Sequence, residues 1–332
     1  MPLSIIAVGK TDKGLVRPGN EDYLHIDDQN QVYAVCDGMG GHQAGEVASM
    51  TAAETILKSF VHFNRDLSED QDLLLGRTLP PKGELLVKSI RLANRAIYNM
   101  AAQDSGLSGM GTTIVALAFE ADILSIAHVG DSRAYRFQDR ELEPLTRDHS
   151  WVAEIQKSQN LTAEEASSVV GKNVITRALG VREAVEVDYR IEKVKPGETF
   201  LLCSDGLCGF ADDDEIFDVA SKHHDDLKKM ADDLVQLAND RGGSDNVTVI
   251  LIRVEGVEDS PLPSVEVTTI QEQSPSTLAA EDRWLDEFSR LSTHMEAAAN
   301  DPPKKGPGAL LLAIIFAVFV IVAALIVWMQ SS

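Results

Sequence analysis

The chain has 332 residues, with 52 Asp or Glu against 30 Lys or Arg, for a formal net charge of −22. Such a balance argues against a nucleic-acid partner, whose phosphates the surface would repel, and it suits carboxylates committed to divalent cations, which a formal count leaves out. Three cysteines, an odd number set in or beside apolar runs, give no support to a disulfide framework, and none is followed by an Arg at the spacing of a phosphate-cradling thiolate loop.

Met1 to Gly9 is too short and runs too soon into polar sequence to be a signal peptide. From there to Val254 apolar runs punctuated by Gly and Asp predict one globular domain over 1–254, long enough to bury a core. Strands are predicted at Gln31–Cys36, Thr112–Phe119, Ile123–Val129, Ala134–Phe137, Thr199–Ser204 and Asn246–Val254. Amphipathic helices are predicted at Glu46–Phe63, Glu84–Ala102, Asp213–Lys222 and Asp225–Ala238. Several strands in succession, with helix pairs before and after them, favour antiparallel sheets covered by helices, an α+β fold, over a doubly wound parallel sheet.

Arg147 to Lys172 is a long polar stretch with a helix-like start at Asp148, the kind of segment in which recognition and mobility reside. Residues 255–308 lose strand alternation and gain Pro, Ser, Thr and Glu, which marks a linker, partly disordered. Within it Ser276–Ala299 carries apolar residues at near-helical spacing and is expected to form a short amphipathic helix, with the domain, lipid or a partner as its docking surface. Ala309 to Met329 contains no charged residue; at about 1.5 Å per residue it would span roughly 31 Å, enough for one transmembrane helix. Lys304 and Lys305 precede it, so the positive-inside rule places the large N-terminal part in the cytoplasm and predicts a single-pass protein of the cell membrane, in contact with lipid through this helix.

Four acidic residues sit next to, or one residue from, glycine at the ends of predicted strands. Asp37 follows Val32-Tyr-Ala-Val-Cys36 and leads into Gly38; Asp131 follows Gly130; Asp205 follows Phe200-Leu-Leu-Cys-Ser204; Asp245 follows Gly242-Gly-Ser244 and precedes Asn246-Val-Thr-Val249. Each alone is an ordinary turn residue. Gathered in one place they would raise one another's pKa unless cations neutralised them, and an oxygen-only donor set suits Mg²⁺ or Mn²⁺ rather than zinc.

The chain resembles the metal-dependent PPM, or PP2C, protein serine/threonine phosphatases in their bacterial form. The resemblance rests on Arg17-Pro-Gly-Asn-Glu-Asp22, Asp37-Gly-Met-Gly-Gly-His42, Gly109-Met-Gly-Thr-Thr113, His128-Val-Gly-Asp-Ser-Arg133, Asn173-Val-Ile-Thr-Arg-Ala-Leu-Gly180, Ser204-Asp-Gly-Leu207 and Gly243-Ser-Asp-Asn-Val-Thr248, seven motifs in the family's order. It implies a four-layer α-β-β-α sandwich with two cations, Mn²⁺ or Mg²⁺, in a cleft where the sheets meet. Asp37 would bridge both, the Gly38 carbonyl would bind one, and Asp205 and Asp245 the other; Asp131 would join Asp205 at a third, weaker site. Glu21 and Asp22 would hold cation-bound waters, and Arg17 would grip the substrate phosphate through its planar fork. The implied activity is hydrolysis of phosphoserine and phosphothreonine in proteins, opposing a serine/threonine protein kinase, by a water whose pKa two shared cations lower.

Met39 departs from the pattern of animal members, which carry a proton-donating His there, so the general acid stays unassigned; His42 is read as structural. His128 is read as a satisfied core imidazole, Thr112 and Thr113 as packing or turn residues, Asn246 as a support for the Asp245 loop, and Arg177 receives no assignment. Two other readings compete: a silent relative that binds phosphoproteins, against which the presence of every implied ligand speaks, and a hydrolase of small phosphorylated molecules or nucleotides.

Overall fold

A computed structural model describes residues 3–41, 44–62, 79–159, 174–257, 265–270 and 277–286. The chain divides into two compact units, Met1–Leu285 and Asp286–Ser332, and the first holds all the described residues but one. In chain order its elements are β1 (Ser4–Asp12), β2 (Asp22–Asp27), β3 (Val32–Met39), α1 (Ala44–His62), α2 (Pro81–Gln103), β4 (Gly111–Thr112), β5 (Ile114–Glu120), β6 (Ile123–Val129), β7 (Arg133–Gln138), β8 (Glu141–Pro144), α3 (Trp151–Gln159), β9 (Val187–Lys193), β10 (Thr199–Cys203), α4 (Asp205–Cys208), α5 (Asp213–Lys222), α6 (Leu227–Asp240), β11 (Val247–Gly256) and β12 (Val265–Ile270).

Two antiparallel sheets are stacked. One runs β1-β11-β10-β7-β8 and the other β12-β9-β6-β5-β3-β2, with β4 paired to β3. Tyr33, Val35, Leu117, Phe119 and Ile126 of the second sheet meet Phe200, Leu202, Ile250 and Ile252 of the first in a common core. Phe119 sets its ring edge-on to Tyr33 and Phe200, with centroids 5.9 and 5.7 Å away. Helices α5 and α6 cover the outer face of the first sheet, while α1 and α2 lie against the second. The result is the α-β-β-α layering that the resemblance implies.

Strands β3, β5 and β6 are buried almost without interruption. Core covers one face and helix the other, so the apolar run replaces alternation. The outer helices carry their own start signals. In α5 Asp212 and Glu215 form a reciprocal capping box; in α6 Asp226 caps the N-terminus, and Leu227, Met230, Ala231, Leu234, Val235 and Ala238 form the buried stripe.

The segment read as one strand from Thr112 to Phe119 is two, β4 and β5. They break at Thr113, whose N–H turns aside to the Asp37 carbonyl at 2.9 Å. Strands β1, β2, β8, β9 and β12 go unpredicted. They carry many charges, although β9 alternates cleanly, with Val187, Tyr189 and Ile191 inward and Asp188, Arg190 and Glu192 outward. β12 and a helical stretch over 277–286 fall within the residues read as linker. Among the described residues no helix is long and apolar enough to cross a membrane; Ala309–Met329, the predicted span, lies outside them, as do His42 and residues 160–172 of the long polar stretch.

Candidate metal centre and substrate cleft

The acidic residues converge. Asp37 lies near the end of β3 and faces Asp22, the first residue of β2, in register across the ladder. Asp205 opens α4 straight after β10, Asp245 precedes β11, and Asp131 sits in the crossing from β6 to β7. Strand ends of both sheets therefore meet at one edge of the sandwich. Asp37, Asp131, Asp205, Asp245 and Glu21 each keep part of their surface open, whereas Asp22 is buried.

The backbone around Asp37 is tightly held. Its N–H donates to Thr113 Oγ1 at 3.2 Å, and its carbonyl accepts from Thr112 Oγ1 and from the Thr113 N–H, both at 2.9 Å. The Gly38 N–H donates to the Glu21 carbonyl at 3.1 Å. A Cβ on Gly38 would collide with the carbonyl oxygens of Glu21 and Gly45, so no other residue fits between the β2 entry and α1. Asn246 ties the loop before β2 to the Asp245 turn: its Oδ1 accepts from the Glu21 N–H at 2.8 Å, and its Nδ2 donates to the carbonyls of Lys13 and Gly19 at 3.0 and 2.9 Å.

Electrostatics sets the character of the site. Burial, and then the nearby charges of Asp22, Asp205 and Asp131, push the Asp37 carboxyl well above its ordinary pKa. Asp131 is pushed up to about 7 by burial and by Asp205 and Asp148. Asp22 also rises to about 7, through burial and the charges of Asp205 and Asp245, although hydrogen bonds from Thr248 and Ser204 pull it down. Burial and Asp245 raise Asp205. Asp22 Oδ1 is buried without a hydrogen-bond partner among the described residues, while its other oxygen accepts from Ser204 at 2.8 Å. Carboxylates that oppose one another's ionisation, and offer only oxygen, fit hard divalent cations.

Arg17 is exposed at the rim, donating from NH2 to Asp245 Oδ2 at 2.8 Å and from Nε to the Ser244 carbonyl at 3.4 Å. With Pro18, Gly19, Glu21, Gly40 and Asn246 it lines a cavity of about 180 Å³. Met39 pairs with Gly111 at the end of β3.

Two histidines lie behind the Asp131 turn. His128 and His149 stack with ring centroids 4.6 Å apart. His149 Nδ1 accepts from the Gly130 N–H at 3.0 Å, the His149 N–H donates to the Gly130 carbonyl at 2.9 Å, and His149 Nε2 meets Asp188 Oδ2 at 3.2 Å. His128 bonds the Arg147 carbonyl through Nε2 at 2.8 Å; burial and its neighbour His149 press its pKa down to about 4, so it is neutral. Arg177 reaches Asp188 Oδ1 at 2.9 Å. The ligand-capable atoms of His128, His149 and Asp188 lie within 4.8 Å of one another. Each already has a protein partner, and the Arg177 guanidinium supplies the positive charge, so the cluster is a brace for the Asp131 turn. The sequence reading left Arg177 without an assignment, passed over Asp188, and placed His149 only at the helix-like start beside Asp148.

Hydroxyls were also missed. Thr112 and Thr113 were read as packing, yet both hold the backbone of Asp37, and Ser204 and Thr248 serve Asp22. Ser204 and Thr248 lie in motifs that carry an acidic residue, whereas Gly109-Met-Gly-Thr-Thr113 carries none.

Relatives place this geometry. A protein phosphatase 2C profile matches residues 17–251. The serine/threonine phosphatase stp of Listeria welshimeri is 37% identical over 246 residues, 73% of this chain and 93% of its own length. The crystal structure of the serine/threonine phosphatase Stp1 from Staphylococcus aureus superposes with a TM-score of 0.67 at 33% identity, covering 77% of this chain and 98% of that one. The catalytic domain of the serine threonine protein phosphatase PstP in complex with two manganese ions superposes with a TM-score of 0.63 at 34% identity, covering 76% and 100%. The chain belongs to the protein phosphatase 2C family, the metal-dependent protein serine/threonine phosphatases.

Proposed function

We propose that the chain removes phosphate from phosphoserine and phosphothreonine in proteins, with Asp37, Gly38, Asp205 and Asp245 holding two divalent cations and Asp131 joining Asp205 at a third site. The observation that carries this reading is the meeting of carboxylates from both sheets, with Asp37, Asp131 and Asp205 raised by burial and by neighbouring carboxylates, at a cleft edged by an arginine. When bound, the cations supply a water of lowered pKa and neutralise charge on the phosphoryl oxygens.

The chain's own groups do the rest. Arg17 presents N–H donors to the phosphoryl oxygens, where charge-assisted bonds strengthen as negative charge grows. Glu21 and Asp22 orient water beside the centre; Ser204 fixes Asp22 through one carboxylate oxygen and leaves the other free to accept. On this reading the attacking group is water, and no phosphoenzyme forms. The test is hydrolysis of a phosphothreonine peptide: it should need Mn²⁺ or Mg²⁺, stop with chelator, and vanish in Asp205→Ala. Turnover of nucleotides but not of phosphopeptides would transfer the case to the small-molecule reading.

The charge-free run Ala309–Met329, with Lys304 and Lys305 before it, supports anchoring in a cell membrane with the catalytic unit on the cytoplasmic side. Substrates would then be phosphoproteins near that surface, and the opposing enzyme a serine/threonine kinase of the same compartment. Recovery of the full chain in the soluble fraction after cell lysis would rule the anchor out.

A further inference from the structure

One stretch of α2 is charged and almost sealed from solvent. Lys88, Arg91, Asn94 and Arg95 are each 9% exposed or less, and such residues are rarely buried without partners. The helical stretch over 277–286 supplies the cover. Ala280 and Glu281 are 0% and 1% exposed, and the Glu281 carboxylate acts on the Arg91 guanidinium. Asp282 accepts a two-pronged bond from Arg95, Nε to Oδ1 and NH2 to Oδ2, both at 2.7 Å, and a further one from Asn99 Nδ2 at 3.1 Å. Matching of this kind fixes one docking geometry, because a buried charge moved off its partner is costly.

Arg95 has a second partner. Its NH1 donates to Glu183 Oε1 at 2.7 Å, so one guanidinium joins the docked helix to the loop before β9. The adjacent Asn94 grips the same loop, donating to the carbonyls of Arg182 and Glu183 at 3.1 Å and accepting from the Gly180 N–H at 2.8 Å. Leu179 in turn exchanges backbone hydrogen bonds with Thr112, and Thr112 Oγ1 donates to the Asp37 carbonyl. A second contact arrives from the same C-terminal segment: β12 pairs with β9, where Thr269 lies opposite Asp188, the carboxylate that holds Arg177 at the other end of the loop. Arg177, Val181, Arg182 and Glu186 of the loop face Trp151 and Glu154 of α3 across a cavity of about 510 Å³.

We propose that β12 and the helical stretch over 277–285, which lie beyond the 17–251 span of the family match, form a clasp on the catalytic unit, and that its Asp282–Arg95–Glu183 link positions the loop 177–186 as a wall for the peptide chain of a phosphoprotein substrate. Arg95 and Asp282 are positioning residues: neither lies at the carboxylate centre. The clasp is tied to the loop at both ends, by β12 through β9 and by the helix through Arg95. The substrate half of the inference rests on the phosphatase reading; the mechanical half does not.

The test uses the full chain. Asp282→Asn keeps the shape of the side chain and removes the two-oxygen fork; Arg95→Gln breaks all three bonds of the guanidinium, to Asp282 and to Glu183; Asp282→Glu keeps the carboxylate. In the first two, amide exchange should rise roughly tenfold across 180–186 as well as 277–286. The KM for a phosphothreonine peptide should rise while kcat for p-nitrophenyl phosphate, which has no peptide chain, stays level; Asp282→Glu should recover most of both. Faster exchange at 277–286 with 180–186 unchanged would overturn the link, as would no change in either segment. An equal loss of kcat on both substrates would show general damage and also overturn it. If the parent protein cleaves p-nitrophenyl phosphate but no phosphopeptide, the phosphatase reading fails while the exchange result still decides the clasp.

Discussion

Asp22 and Asp131 keep their protons up to about pH 7, and this has a sign that can be measured. A carboxyl whose folded pKa exceeds its unfolded value favours the fold while protonated, below the ordinary carboxylate range, and that advantage drains away as pH rises through the folded value. The chelated protein is therefore expected to melt at a higher temperature near about pH 5 than near about pH 8. Asp131→Asn should flatten the trend and add about 1 kcal/mol or more at the upper pH; Mn²⁺ should abolish it. Arg17 makes a different prediction. Replacing it by Ala is expected to lower kcat/KM by about two orders of magnitude, with Lys restoring part, because a point charge replaces a planar fork. The acidic residues that converge were legible because each sits in a short local motif with glycine. The hydroxyls of Thr112, Thr113, Ser204 and Thr248 were not, since their partners come from other strands and nothing local in sequence says which oxygen will lie across the ladder.

Among the elements, the β3 strand and the Asp245 turn carry the centre, and what fastens them is a side chain. Asn246 bridges three backbone groups of the entry loop, so Asn246→Ala should cost about 3 kcal/mol by denaturant unfolding, since three polar groups lose their partner together. In the core between the sheets, Phe200→Ala is expected to cost about 3–5 kcal/mol, as no neighbour of that size can refill the gap against Phe119. The helices were readable in sequence because caps and apolar stripes are local: Asp213–Lys222 was placed to the residue. Strands such as β2 and β9 were not, because a strand that shows one face to charged neighbours looks like loop until its pairing is known. The helix over 277–286 was foreseen as amphipathic. The domain was one of three docking surfaces left open, and which face it meets was not legible, for that lies on a charged face of α2 nearly two hundred residues earlier.

For the whole molecule, the net charge of −22 acts on substrates before they reach the cleft. An acidic phosphopeptide is repelled at low salt, so its kcat/KM should rise between about 10 mM and about 150 mM salt, while a basic phosphopeptide shows the opposite slope. The α+β class and the layered sandwich followed from the order of strands and helices together with seven ordered motifs; the meeting of the ligands at one edge of the sandwich is a property of the fold alone, invisible to spacing. That edge has a mechanical side. Asp37 lies in one sheet, and Asp205 and Asp245 lie beside strand ends of the other, so on the proposed ligand set a bound ion pair works as a rivet between the two layers. Manganese supply would then govern stiffness as well as turnover: in a starved cell the sandwich would gape at this seam, and proteases would clear the idle enzyme first.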